Sequence, residues 1–183
     1  MTNLKKWKII NSHLILNNRW CRVRQDQVEL PNGNIIEDYF VNIRPDIALI
    51  LPVTKDKYIV FVRQYRHGIE KILLELPAGT FDPQREDSLS AASRELEEET
   101  GYIAKKIIKL TTLYDNPVKD TNKIHVFIAL DAFPLGKQKL DLTEEIEVVL
   151  IPIPEVKKRI ATGEICVSGT LAAIFLGLDF LAN

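Results

Sequence analysis

The densest chemistry in the chain is a run of glutamates at 95, 97, 98 and 99, set between Arg94 and Gly101. The spacing from Ser88 to Thr100 predicts a helix, closed by Gly101 as a left-handed cap. With Leu89 at zero, Ala92 falls at about 300° and Leu96 at about 340°, an apolar stripe bound for a sheet. Glu95, Glu98 and Glu99 fall at about 240°, 180° and 280°, on one face beside that stripe, and Glu97 at about 80°, on the other side. Like charges at these spacings repel by about a few tenths of a kcal/mol per pair. Glutamates late in a helix also oppose its dipole. Two readings follow. One is a solvated acidic face with Arg94 paired to Glu98. The other is a divalent-metal site, because Mg²⁺ takes carboxylate oxygens and completes its shell with waters and substrate phosphates. Spacing alone leaves both open.

The wider segment GTFDPQREDSLSAASRELEEETGY, beginning at Gly79, places Glu86, then seven residues, Arg94-Glu95-Leu96, one residue, Glu98-Glu99, one residue, and Gly101-Tyr102. This closely resembles the Nudix box, the signature of the Nudix hydrolase superfamily. One departure stands out: six residues separate Gly79 from Glu86, one more than the usual pattern. Further stretches resemble the ADP-ribose and nucleoside-diphosphate-sugar pyrophosphatase branch. They are Val62-Arg63-Gln64-Tyr65-Arg66, Leu74 to Gly79, the loop Tyr114-Asp115-Asn116-Pro117, Ile124 to Ala129, and Glu144-Glu145-Ile146-Glu147-Val148. The similarity covers most of residues 20 to 175.

The resemblance implies hydrolysis of a phosphoanhydride in ADP-ribose or a related nucleoside diphosphate sugar, giving a nucleoside monophosphate and a sugar phosphate. It implies Mg²⁺, or Mn²⁺, as cofactor: charge on the pyrophosphate must be neutralised and a water aimed at one phosphorus. Glu95, Glu98, Glu99 and the main-chain carbonyl of Ala78 match metal ligands. Arg94 matches a residue that holds the carboxylates, and Glu86 one that orients loop and helix. Arg66 matches a substrate-phosphate contact, its other reading being an exposed strand-end cation. Glu75 matches a position lining the site. The general base is expected from the loop Asp141–Glu147, where Glu144 aligns best and Glu145 and Glu147 are rivals; Glu98 is the alternative outside that loop. Other activities stay open, namely hydrolysis of a different nucleotide such as a dinucleoside polyphosphate, or nucleotide sensing without turnover.

These residues need a scaffold. The sequence predicts strands at Cys21–Leu30 and Ile35–Val41 about a Pro31-Asn32-Gly33 turn, read as type I′. A second hairpin is expected from Ala48–Leu51 and Tyr58–Val62, apolar on both faces and so covered on both sides. Ile72–Leu76 reads as a strand, with a polar loop at Thr80–Asp87. Ile107–Leu113, Ile124–Leu130 and Ile146–Ile153 read as further strands, and helices follow from Pro154 to Gly163 and from Thr170 to Leu181. The expected fold is the Nudix α/β/α sandwich with a mixed sheet. The Nudix domain would occupy residues 46–183. A small antiparallel β unit would occupy residues 1–45; the resemblance gives that unit homodimerisation and base stacking, with Trp20 able to stack on a base or simply to pack.

With 183 residues, 46% hydrophobic and 27% charged, the composition is that of a globular protein. A net charge of -1 argues against a nucleic-acid or anionic-membrane binder. Cys21 and Cys166 lie in no paired motif and read as free thiols of a reducing cytoplasm. No apolar run is long enough to span a membrane, and the first residues lack the core of a signal peptide. His125, in an apolar run, reads as a hydrogen-bonded core histidine.

Overall fold

A computed structural model describes residues 4–183. The chain divides into two compact units, residues 1–45 together with 114–122, and residues 46–113 together with 123–183.

The first unit is a three-stranded antiparallel sheet ordered β1 (Lys8–Asn17), β2 (Arg22–Glu29), β3 (Ile35–Asn42). Strand β1, which the sequence reading did not single out, is exposed along its whole length. No alternation of burial marks it. The turn between β2 and β3 is not type I′. Asn32 is not left-handed; only Gly33 is, at φ 86°, and its N–H donates to the Leu30 carbonyl at 2.9 Å. Pro31 and Asn32 therefore occupy the central positions of the turn, and proline's fixed φ suits the first of them. Segment 114–122 joins this unit through Asn42 Nδ2 to Asp120 Oδ1 at 2.8 Å and the Tyr39 hydroxyl donating to the Val118 carbonyl at 2.6 Å. Trp20 does not serve as a packing residue within this chain: it is 72% exposed, with the Arg19 guanidinium 4.2 Å above its ring.

The second unit is a mixed sheet between helices. Its strands are β4 (Asp46–Thr54), β5 (Tyr58–Arg66), β6 (Lys71–Glu75), β7 (Ala78–Phe81), β8 (Tyr102–Ile103), β9 (Lys106–Leu113), β10 (Ile124–Pro134) and β11 (Ile146–Pro152). The main path runs β11-β5-β4-β10-β8, with β6 on β5, β7 on β4 and β9 on β10. Strands β4 and β10 pair in parallel and the other pairs are antiparallel. The helices are α1 (Ser88–Thr100), α2 (Ile153–Ala161) and α3 (Ser168–Ala182). None among the described residues is long and apolar enough to cross a membrane.

Alternation along β4 and β10 explains the layering. Leu49, Leu51, Val53, Val126 and Ile128 face a core closed by Val156, Ala173 and Ile174 from α2 and α3. Ala48, Ile50, Phe127 and Ala129 face the other way, onto Ala91, Ala92 and Leu96 of α1. Each large side chain so buried contributes about 1.5–3 kcal/mol. The expected α/β/α sandwich with a mixed sheet, and the separate small antiparallel sheet, are both present. The segment Ala78–Phe81, in part assigned to a loop, forms β7 along Asp46–Leu49. The buried stripe of α1 is Ala91, Ala92, Leu96 and Thr100, whereas Leu89 is 45% exposed.

Candidate active site

Helix α1 is fixed at both ends. The Asp87 carboxylate accepts from the Leu89 and Ser90 N–H groups and from the Ser90 hydroxyl, satisfying donors the first turn leaves open. Those bonds, chiefly to Ser90, hold its carboxyl below the usual range. Gly101, at φ 72°, ends the helix; a Cβ there would stand 2.7 Å from the Gly136 carbonyl oxygen. The additional residue between Gly79 and Glu86 is absorbed in a turn at Asp82. There the Arg85 and Glu86 N–H groups donate to the Asp82 carbonyl, and Asp82 Oδ1 accepts from the Gln84 N–H.

On this helix Glu95 and Glu99 are buried beside Leu96. Arg94 fans across three acids: Nε and Nη2 donate to the two Glu86 oxygens at 3.0 and 2.9 Å, and Nη1 donates to Glu95 Oε1 at 2.7 Å and Glu98 Oε2 at 2.9 Å. Arg94 thus stays protonated with its pKa raised, and Glu86 is held below the usual carboxylate range. Glu99 Oε2 accepts from the Ala78 N–H at 3.0 Å. The Glu95 carboxylate lies over Gly79, in the space a Cβ would fill.

Burial raises the Glu95 pKa despite Arg94. Burial raises that of Glu99 further, to about 8, against the Ala78 N–H and with added repulsion from Glu95 and Glu144. Two buried carboxylates that repel each other need a proton or a cation between them.

Among the described residues no three acidic, histidine or cysteine side chains converge on one point as they stand. The donor set nevertheless fits a hard cation. Glu95, Glu98 and Glu99 each give one oxygen to a protein donor, while the other takes none among the described residues. Mg²⁺ binds in this way, taking a few carboxylate oxygens and retaining several waters.

A cleft of about 210 Å³ opens here, lined by Gly79, Thr80, Arg94, Glu95, Glu98, Lys139, Asp141 and Glu144. Of the three loop glutamates, Glu144 alone lines it, together with the loop's aspartate, Asp141. Glu144 Oε2 accepts from the Asp141 N–H at 3.0 Å. Glu145 is exposed outside the cleft, and Glu147 accepts from Arg63 at 2.8 Å on the edge strand β11. Arg66 ends β5 and donates through Nε and Nη2 to Oε2 of buried Glu75, the Nε bond being 2.9 Å. Glu99 feels the Arg66 charge. Trp20 belongs to the first unit and the carboxylates to the second.

Sequence reasoning missed Lys139, whose Nζ donates to Glu97 at 2.9 Å, and Gln138, described below. Nothing in a lone Gln-Lys pair in a loop marks either. His125 is hydrogen-bonded as expected, with Nε2 3.0 Å from Asp46 Oδ2.

The three-layer fold, the acid-bearing helix and its glycine cradle define a class, and comparison with known proteins agrees. A NUDIX domain model matches residues 43–167, and a model for the nucleoside diphosphate sugar hydrolase N-terminal domain matches residues 7–42. The chain belongs to the Nudix hydrolases, in the ADP-ribose pyrophosphatase branch of that family. It is 34% identical to the ADP-ribose pyrophosphatase of Bacillus subtilis (strain 168), over 91% of this chain and 90% of that one. It is 32% identical to the methanol dehydrogenase activator of Bacillus methanolicus, over 95% and 94%. A crystal structure of an ADP compounds hydrolase superposes with a TM-score of 0.87 at 26% identity, covering 100% of this chain and 97% of that one. Nudix hydrolases generally use divalent metal ions.

Proposed function

We propose that this protein hydrolyses the pyrophosphate linkage of ADP-ribose, or of a closely related nucleoside diphosphate sugar, to a nucleoside monophosphate and a sugar phosphate. The observation that carries this reading is the set of three carboxylates, each with one oxygen held and one open, beside a cleft that also holds a separate acid, Glu144. Glu95, Glu98, Glu99 and the Ala78 carbonyl would hold Mg²⁺, or Mn²⁺ in its place. When bound, the metal neutralises pyrophosphate charge and orients the anhydride.

The chain's own residues do the rest. Arg94 fixes Glu95 and Glu98 so that their open oxygens stay in place. Arg66, pinned by Glu75, presents its remaining guanidinium edge to a substrate phosphate. Glu144 takes the proton of the attacking water as its oxygen bonds to phosphorus and the bridging P–O bond breaks. A loop acid outside the metal set is not committed to a cation and is free to accept that proton. Lys139 also lines the cleft, with its ammonium paired to Glu97.

The likeness to an ADP-ribose pyrophosphatase and to an ADP compounds hydrolase supports the substrate class. We further propose that residues 1–45 act in homodimerisation and base stacking. The support is β1, which exposes Ile9, Ile10, Leu14, Ile15 and Leu16, and an exposed Trp20. Light scattering should give twice the 20.9 kDa chain mass at micromolar concentration; a monomer would remove this role. Exposed thiols at Cys21 and Cys166 suit the reducing cytoplasm.

The deciding experiment is a panel of nucleotide sugars and dinucleoside polyphosphates with Mg²⁺, Mn²⁺ or chelator, products separated by chromatography. ADP-ribose or a related sugar should give the monophosphate and sugar phosphate, only with metal. Preference for dinucleoside polyphosphates would replace the substrate class, and binding without turnover would make the protein a sensor.

A further inference from the structure

The segment carrying Glu144 is stitched to the C-terminal end of the acid-bearing helix. The Leu135 and Gly136 N–H groups donate to the Gly101 carbonyl at 3.0 and 3.2 Å, and the Lys139 N–H donates to the Glu98 carbonyl at 2.8 Å. The side chain of Gln138 completes the seam. Its Nε2 donates to the Glu99 carbonyl at 2.6 Å and to the Ile146 carbonyl at 3.1 Å.

One amide nitrogen carries two N–H groups, and here each has its own acceptor. The first acceptor is a last-turn helix carbonyl, which has no partner inside the helix. The second lies on the first residue of β11, eight residues further along the chain. Gln138 therefore ties both ends of the 139–145 arc to the backbone of Glu99. Within that arc Asp141 and Glu144 fold back on each other through the Glu144 N–H to the Asp141 carbonyl, at 2.9 Å, and the Asp141 N–H to Glu144 Oε2.

We propose that Gln138 is a positioning residue that sets where the Glu144 carboxylate stands relative to the helix carboxylates. It touches no substrate. This inference rests on the reading of Glu144 as the base. A chain of bonds from the Glu99 main chain to Gln138, and from Gln138 to Ile146, is the only side-chain clasp spanning both ends of this arc among the described residues. The Lys139–Glu97 ion pair is exposed at both partners and adds little hold.

The test compares Gln138→Met, which keeps length and loses both donors, Gln138→Lys, which restores donors at similar reach, and Gln138→Asn, one methylene shorter. Steady-state kinetics on ADP-ribose with Mg²⁺ should show kcat lowered at least about tenfold in Met and Asn, because small displacements of a reacting group are costly. KM and the metal activation constant should stay within about twofold, and the Lys variant should regain most of kcat. Combined with Glu144→Gln, the Met substitution should cost nothing further. Amide exchange of metal-free protein should quicken over 139–146 in Met and not in Lys.

Unchanged kcat in both Met and Asn, additive loss in the double variant, or a rise in the metal activation constant to match the kcat loss would each overturn the proposal. Should Met fail to fold, Asn and Lys carry the same comparison. Full activity in Glu144→Gln alone would instead remove the base reading, whatever Gln138 does. Loss in Glu144→Gln with silent Gln138 variants removes only the present inference.

Discussion

The carboxylate of Glu95 rests directly over the Cα of Gly79, so that any side chain at 79 would occupy the same space as the Glu95 carboxyl group. Strand β7 brings Gly79 there by pairing it with Ala48, while α1 brings Glu95 from the opposite layer. Gly79→Ala should therefore displace Glu95 from Arg94 and Gly79 together. The expected outcome is a kcat loss of at least about tenfold and a weakened metal activation constant, with the fold kept, because the group that moves is the far end of a flexible side chain. Titrating activity against Mg²⁺ checks both. Wild-type kinetics in this variant would mean that Glu95 holds no ligand position.

The helix acids should divide by face. Glu95→Gln and Glu99→Gln each remove charge from the open-oxygen set and should lower kcat by at least about a hundredfold. Glu97→Gln should change kcat by less than about threefold, since Glu97 is partnered with Lys139 on an exposed ion pair of small worth. Equal losses in Glu97→Gln and Glu99→Gln would refute the division.

Metal-free protein should lose stability as pH rises. The Glu99 pKa is raised by burial from 4.5 to about 8, so the folded state binds its proton more tightly than the unfolded state. That contribution is complete below pH 4.5 and is lost as pH rises through about 8. Thermal melts in chelator should show Tm falling across this window, and Glu99→Gln should flatten the fall and melt at least about 5 °C higher at pH 8. Mg²⁺ should restore the wild-type Tm at pH 8 and not that of the variant. Glu86 acts with the opposite sign: held low by Arg94, it costs stability only under acid conditions, as pH falls toward its lowered pKa. A wild-type Tm that is flat or rising from pH 5 to 8 in chelator would contradict the assignment.

Among the loop acids, Glu144→Gln should lose most of kcat while KM and metal activation stay within about twofold. Glu145→Gln should be close to silent. Glu147→Gln loses an exposed pair with Arg63 and should act only weakly, through stability. Steady-state kinetics on the three variants decides. Activity intact in all three would remove this loop from the chemistry and return the base to Glu98 or a metal-bound hydroxide.

Much of this was already set by residue order. A helix with its acids on one side of an apolar stripe, ended by Gly101, follows from spacing at 3.6 residues per turn, and spacing is a local property. The doubly apolar β4 and β5 announced a sheet covered on both faces for the same reason. The family, and which acids share the buried side of the helix, were legible because the Nudix motif compresses them into one segment. Where that local reasoning ran against longer-range geometry it slipped. Pro31 displaced the Asn-Gly pair from the centre of its turn, and exposed Leu89 ceded its place in the stripe to Ala91, whose position depends on where the sheet lies. Strand β1, exposed along its whole length, has no alternation of burial for a sequence pattern to record. Tertiary structure alone decided which oxygens of Glu95, Glu98 and Glu99 are held, that Glu144 and not Glu145 or Glu147 enters the cleft, and that Gln138 clasps the helix end to β11. Those relations join residues far apart in sequence through distances of a few ångströms, and spacing along the chain holds no record of distances across it.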